Sequence, residues 1–216
     1  MSHFFHALAG SIVARLIVGL ARVVTGVRAD WRGCEPVARQ RIYVANHTSH
    51  GDFVLIWTVL PPALRARTRP VAARDYWGGE GLTGFVGQAV FRAALVDRAA
   101  GREGGDPLQT LKAVLATGES LIFFPEGTRN TSDEILLPLK SGIFHLAEAF
   151  PEVEIVPVWI DNVSRVMPKG EFLPVPLLCK VSFGVPVNRP ASHDKAAFLE
   201  AVRAGLLALA PPENAR

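Results

Sequence analysis

Residues 42–53 read IYVANHTSHGDF. An apolar run, Ile42 to Ala45, breaks into Asn46, His47, Thr48, Ser49, His50, Gly51 and Asp52 before apolar chain resumes at Phe53. The first run reads as a buried strand. Phe53–Leu60, closed by Pro61-Pro62, reads as a short helix. The polar stretch is therefore the turn of a strand–turn–helix unit, and the same pattern recurs outward from it. Pro70–Ala73, Ala93–Val96, Ser120–Phe124, Glu154–Ile160 and Lys180–Gly184 read as strands. A helix is expected to start at Asp106-Pro107, an acid at the N-cap followed by proline in the first turn, and to run to Thr117 before Gly118. Gly142–Phe150 reads as another helix. A last helix, capped by Ser192, carries Leu199, Val202, Leu206 and Leu209 at helical spacing and ends before Pro211-Pro212. Arg28–Arg41, with Gly33 and Pro36, reads as a polar connector, and Tyr76–Phe91 as glycine-rich chain turning helical towards its end. Strands that alternate with helices imply an α/β fold: one domain with a mainly parallel or mixed central sheet flanked by helices.

The bulk composition agrees. The chain has 216 residues, 49% hydrophobic and 20% charged, which supplies a sizeable core and excludes disorder. Its net charge of +3 does not point to nucleic acid, and a modest attraction to anionic lipid fits as well. Cys34 and Cys179 are the two cysteines, with no CxxC and no Cys/His zinc spacing, so a reducing setting without a disulfide framework is expected.

Phe4 to Val27, FFHALAGSIVARLIVGLARVVTGV, is long enough to cross a bilayer, yet it contains Arg15 and Arg22, seven residues apart and so near one helical face. A guanidinium at mid-bilayer costs about 2.5–3.5 kcal/mol on insertion scales. Lying in the interface avoids that cost. No Lys or Arg precedes the apolar stretch, unlike a cleaved signal peptide. We therefore expect residues 1–27 to form an interfacial helical segment and residues 28–216 the main domain; a helix packed on its own domain and a true membrane span are the alternatives.

In such sheets chemistry collects where strands end. His47 and Asp52, separated by four residues, have the spacing at which a turn folds the carboxylate back onto one imidazole nitrogen. The other nitrogen is then a base aimed into the cleft, as in a triad without its nucleophile. Asp52 could equally N-cap the helix beginning at Phe53. A metal held by His47, His50 and Asp52 matches no helical zinc pattern, and His145 and His193 are isolated, so no metal site is expected. SLIFFPEGTRN, Ser120 to Asn130, ends a second strand in Glu126, Gly127, Thr128 and Arg129. That set suits an anionic, hydroxylated ligand, with glycine for close approach and arginine as a fork for phosphate, or else a polar turn. LVDRAAGR puts Asp97 and Arg98 after a third strand, beside the cleft or in a solvated loop. Gly79, Gly81 and Gly84 spell GxGxxG, but Asp75–Gly78 separate them from the preceding strand, so a dinucleotide turn is not expected.

NHTSHGD, followed by FPEGTR at Phe124–Arg129, resembles the 1-acylglycerol-3-phosphate acyltransferase family. Leu95–Arg98, Leu137–Gly142 (LPLKSG) and Ile155–Ile160 (IVPVWI) resemble further blocks of that family in the family's order, over about residues 42–160. The resemblance implies that His47 and Asp52 are the catalytic pair. It also implies that Arg98, Glu126, Gly127, Thr128 and Arg129, with Lys140 in the following segment, bind the acceptor. The partners it implies are a lyso-lipid acceptor, an acyl-CoA or acyl-carrier-protein donor and a membrane surface, with no further cofactor. The expected location is the cytoplasmic face of the cell inner membrane. Acylation of another lyso-lipid, a metal-assisted hydrolase and a silent lipid-binding module are the competing readings.

Overall fold

The computed structural model describes residues 2–97, 106, 108–161, 178–188 and 194–211. Its strands are β1 Arg28–Trp31, β2 Arg41–Ala45, β3 Thr68–Ala73, β4 Ala94–Val96, β5 Ser120–Phe123, β6 Glu154–Asp161 and β7 Lys180–Phe183. They form one sheet in the order β1-β7-β6-β2-β5-β3-β4. Pairing is parallel throughout except between β6 and β7, so the sheet is mixed, with a five-stranded parallel body and a reversed β7–β1 edge.

The helices are α1 Ser2–Thr25, α2 Asp52–Val59, α3 Pro62–Arg65, α4 Arg74–Trp77, α5 Leu82–Phe85, α6 Gln109–Ala116, α7 Gly142–Ala149 and α8 Lys195–Leu207, with a π-helical turn at Val86–Val90. They cover both faces. Side chains alternate across a strand, so β2 splits its apolar residues between two cores. Tyr43 and Ala45 join Phe53, Ile56 and Leu60 of the α2 region and Val18 of α1. Ile42 and Val44 join Leu111 of α6, Ile143 of α7 and Val202 of α8. All five β2 residues are buried, which is why they read as a continuous apolar run capped by an arginine.

One expected connector is structured. Within Arg28–Arg41, residues 28–31 form β1, paired with β7 from Arg28 against Lys180 to Trp31 against Phe183. RADW lacks a strand's apolar pattern because it lies at the sheet edge, half exposed. The Trp31 ring stacks on Phe183 at 3.9 Å. The last helix is capped by Asp194, whose Oδ1 accepts from the N–H groups of Ala196 and Ala197. Ser192, expected as that cap, lies outside the described residues, as does Pro107.

α1 packs on the domain through Val13, Ala14, Ile17 and Val18. Its Gly10 lies so close to the π-helical turn that a Cβ there would sit 2.9 Å from the Ala89 carbonyl oxygen. The opposite side of the helix leaves Ile12, Leu16, Leu20 and Val23 exposed at 50%, 65%, 65% and 80%. Among the described residues, no helix is long and apolar enough to cross a membrane.

The parallel body brings the carboxyl ends of β2, β3, β4, β5 and β6 to one edge. There, neighbouring strands β2 and β5 send their chains to opposite faces, β2 into α2 and β5 into α7. A crevice opens at such a divergence.

Candidate active site

His47 follows β2 by two residues, and Asp52 opens α2. Asp52 is fully buried, and the His47 side chain is 20% exposed. A single carboxylate oxygen, Asp52 Oδ2, accepts from His47 Nδ1 at 2.9 Å and from the backbone N–H groups of Thr48 at 2.7 Å and Ser49 at 2.8 Å. The turn 48–51 is thus wound around the carboxylate, and these bonds offset the cost of burying it. With Nδ1–H donating to Asp52, the neutral ring has Nε2 as its acceptor. The capping alternative is not what the chain adopts: Gly51 is the N-cap of α2, and Asp52 reaches back into the turn.

The imidazole is held on its flat side too. It stacks on Phe124, the residue after β5, with centroids 4.2 Å apart and planes at 21°. Its main chain is gripped as well. Glu126 Oε1 accepts from the His47 N–H at 2.8 Å, and the Asn130 N–H donates to the His47 carbonyl at 2.6 Å. Asn46, next to His47, clamps β6 like a backbone unit, donating to the Ile160 carbonyl at 3.1 Å and accepting from the Ile160 N–H at 2.8 Å.

His47, Phe124, Gly127, Thr128 and Arg129 line a cleft of about 440 Å³, and Phe53, Val71 and Trp77 supply apolar walls. Gly127 has φ +68°, and a Cβ there would meet Lys140 Cε at 2.9 Å, so glycine answers both a left-handed turn and a close neighbour. His50, stacked on Tyr76 at 5.8 Å, lines the same cleft. A base, an arginine and apolar walls converge there.

Two expected acceptor-site residues are not among those that line this cleft. Glu126 is 1% exposed, and its other oxygen accepts from the Leu137 N–H at 2.9 Å. Burial pushes its carboxyl above the usual glutamate range, opposed by the N–H groups of Leu137 and His47. Lys140 is exposed, with its stem over Gly127 and its N–H donating to the Pro125 carbonyl at 2.8 Å. Arg98 lies outside the described residues. Phe124, Tyr76 and Asn46 carry roles that the sequence pattern did not assign; the adjacency of Phe124 and Asn46 to the two motifs was the available signal.

Neither cysteine is placed as a nucleophile. Cys34 and Cys179 are both buried, and burial pushes both thiols up, Cys179 to about 11. No three His, Cys, Asp or Glu side chains among the described residues are grouped so as to hold a metal ion.

Residues 28–161 match the family model described as Acyltransferase. The 1-acyl-sn-glycerol-3-phosphate acyltransferase of Saccharomyces cerevisiae is 32% identical over 163 residues, covering 74% of this chain and 52% of that protein. The enzyme of the same name from Limnanthes alba is 28% identical over 183 residues, covering 83% and 61%. The chain thus spans about half to three-fifths of the length of these relatives. In fold it is similar to the crystal structure of the 1-acyl-sn-glycerophosphate (LPA) acyltransferase PlsC from Thermotoga maritima. That match has a TM-score of 0.64 and 22% identity and covers 93% of this chain and 81% of that one.

Proposed function

Because the chain belongs to the acyltransferase family, we propose that it moves a fatty acyl group from a thioester donor to the free hydroxyl of 1-acyl-sn-glycerol 3-phosphate, making phosphatidate. The observation that carries this reading is the His47–Asp52 pair, with His47 on the wall of a cleft that Arg129 also lines. The acceptor follows from the names of the relatives.

The chemistry is a direct transfer. The acceptor hydroxyl gives its proton to His47 Nε2 as its oxygen attacks the thioester carbonyl. The new C–O bond forms, the C–S bond breaks, and the departing sulfur takes the proton from the imidazolium. Asp52 fixes the ring and stabilises the imidazolium while it exists. An acyl-enzyme is unnecessary because a thioester is already activated, and both thiols are buried and raised. Arg129 and Thr128 are suited to the acceptor phosphate, and the apolar walls to its acyl chain. The donor is acyl-CoA or acyl-carrier protein, with no other cofactor.

The acceptor lives in lipid and the donor in water, so the cleft must work at the boundary. At about 100° per residue, Ile12, Leu16, Leu20 and Val23 form one stripe of α1, opposite the packed side and flanked by Arg15 and Arg22. That stripe suits shallow insertion in an anionic surface at the cytoplasmic face of the inner membrane. The decisive experiment offers purified protein a panel of lyso-lipids with each donor and identifies products by mass spectrometry. Phosphatidate as the main product supports the assignment. Acylation of a different lyso-lipid alone would transfer the activity to that acceptor, and no acylation of any would refute it.

A further inference from the structure

We infer that Glu126 is a positioning residue that clamps the main chain of His47 to the loop carrying Arg129, rather than a group that touches the acceptor. The inference rests on the acyl-transfer reading for its kinetic consequences, but its geometry stands without it. Both carboxylate oxygens are engaged, Oε1 by the His47 N–H at 2.8 Å and Oε2 by the Leu137 N–H at 2.9 Å. At 1% exposure the side chain presents nothing to the cleft.

The clamp is two-sided. The same loop returns at Asn130, whose N–H donates to the His47 carbonyl at 2.6 Å. Residues 126 and 130 therefore hold the two polar groups of the His47 peptide backbone, and Thr128 and Arg129 lie between them on the cleft wall. Leu137, tied to the same carboxylate, fixes the segment that returns towards Lys140. The base and the loop suited to the acceptor phosphate thus form one unit, which sets the distance from Nε2 to a bound hydroxyl. An error of about 1 Å in such an alignment can cost on the order of 10²-fold in rate. A carboxylate fits because its two oxygens offer two acceptors to two backbone N–H groups, one on each segment.

The test compares Glu126→Gln and Glu126→Ala in the full chain, by steady-state kinetics and by amide hydrogen exchange followed by NMR. Glutamine keeps one acceptor and alanine neither. We expect kcat to fall about tenfold or more in Glu126→Gln and further in Glu126→Ala, with the acceptor KM within about twofold of native. We also expect exchange at the His47 or Leu137 amide to quicken at least tenfold. Should Glu126→Ala not fold, Glu126→Gln carries the test alone. A raised acceptor KM at unchanged kcat would place Glu126 on the acceptor and overturn the inference, as would unchanged exchange at both amides. Native protein that acylates nothing, with amide exchange still dependent on Glu126, would remove the acyl-transfer reading and leave the clamp in place.

Discussion

Asp52 shows how much one atom can be asked to do. Oδ2 serves the imidazole and two backbone N–H groups, while Oδ1 is buried with no hydrogen-bond partner. Asp52→Asn keeps the size and can keep an acceptor at the first position, but it removes the charge that steadies an imidazolium. Turnover is expected to fall by about 10²–10⁴-fold, the usual worth of general-base catalysis, with the circular dichroism spectrum unchanged. Retained turnover in the folded variant would remove Asp52 from the mechanism. Arg129 stands on the cleft wall and makes the opposite split. Charge-assisted hydrogen bonds are worth about 1.5–3 kcal/mol, so Arg129→Ala should raise the acceptor KM about ten- to a hundredfold and leave the donor KM near native. A change confined to the donor would assign Arg129 to the other substrate.

Among the elements, β2 depends on a buried ion pair at its start. Arg41 is 2% exposed, donates through Nε to Glu154 Oε2 at 2.9 Å, and donates through Nη1 to the Glu35 carbonyl at 2.8 Å. Arg39 reaches the other Glu154 oxygen at 2.7 Å. Burial acts to raise the Glu154 carboxyl, but the bonds from Arg39 and Arg41 outweigh it and hold the group below the usual glutamate range. The resulting stability is present above the pKa of an unfolded glutamate and is lost as pH falls through the lowered folded value. Glu154→Ala leaves a buried guanidinium short of its partner. It should destabilise the fold by about 2–4 kcal/mol in denaturant titrations at neutral pH, and by less than that near pH 3, where native protein has itself begun to lose the ion pair. An unchanged midpoint at neutral pH would contradict this. The strands of the central sheet were legible because β2, β5 and β6 are buried on both faces and read as continuous apolar runs. β1 was not, since its pairing with β7 joins positions about 150 residues apart, on the order of a whole domain, and an edge strand lacks apolar rhythm. The His47–Asp52 pair was legible because both ends lie in one turn. The burial of Glu126 was not, because its partner His47 lies 79 residues away in sequence.

The whole molecule joins a catalytic edge to a helix that has two unlike sides. Its packed side, through Val13, Ile17, Val18 and the tight Gly10–Ala89 contact, makes α1 part of the domain, whereas its outer stripe is apolar and open. The packed side fits the alternative of a helix belonging to its own domain, and the open stripe is the side an interfacial helix would use. Replacing Leu16 and Leu20 with glutamate should leave the fold intact, since both are 65% exposed, and should weaken vesicle binding in a flotation assay. Replacing Val18, which is buried, should instead destabilise the domain. Normal vesicle binding by the Leu16→Glu, Leu20→Glu protein would defeat the docking role of α1. Acyl transfer by this route requires His47 Nε2 to take the acceptor's proton, and the measurement that isolates this step is single-turnover thiol release with native protein and with His47→Ala. Native protein given 1-acyl-sn-glycerol 3-phosphate and an acyl thioester should release one thiol per phosphatidate formed. The folded His47→Ala protein should be slower by about 10²–10⁴-fold. Near-native release from that variant would show that His47 is not the base.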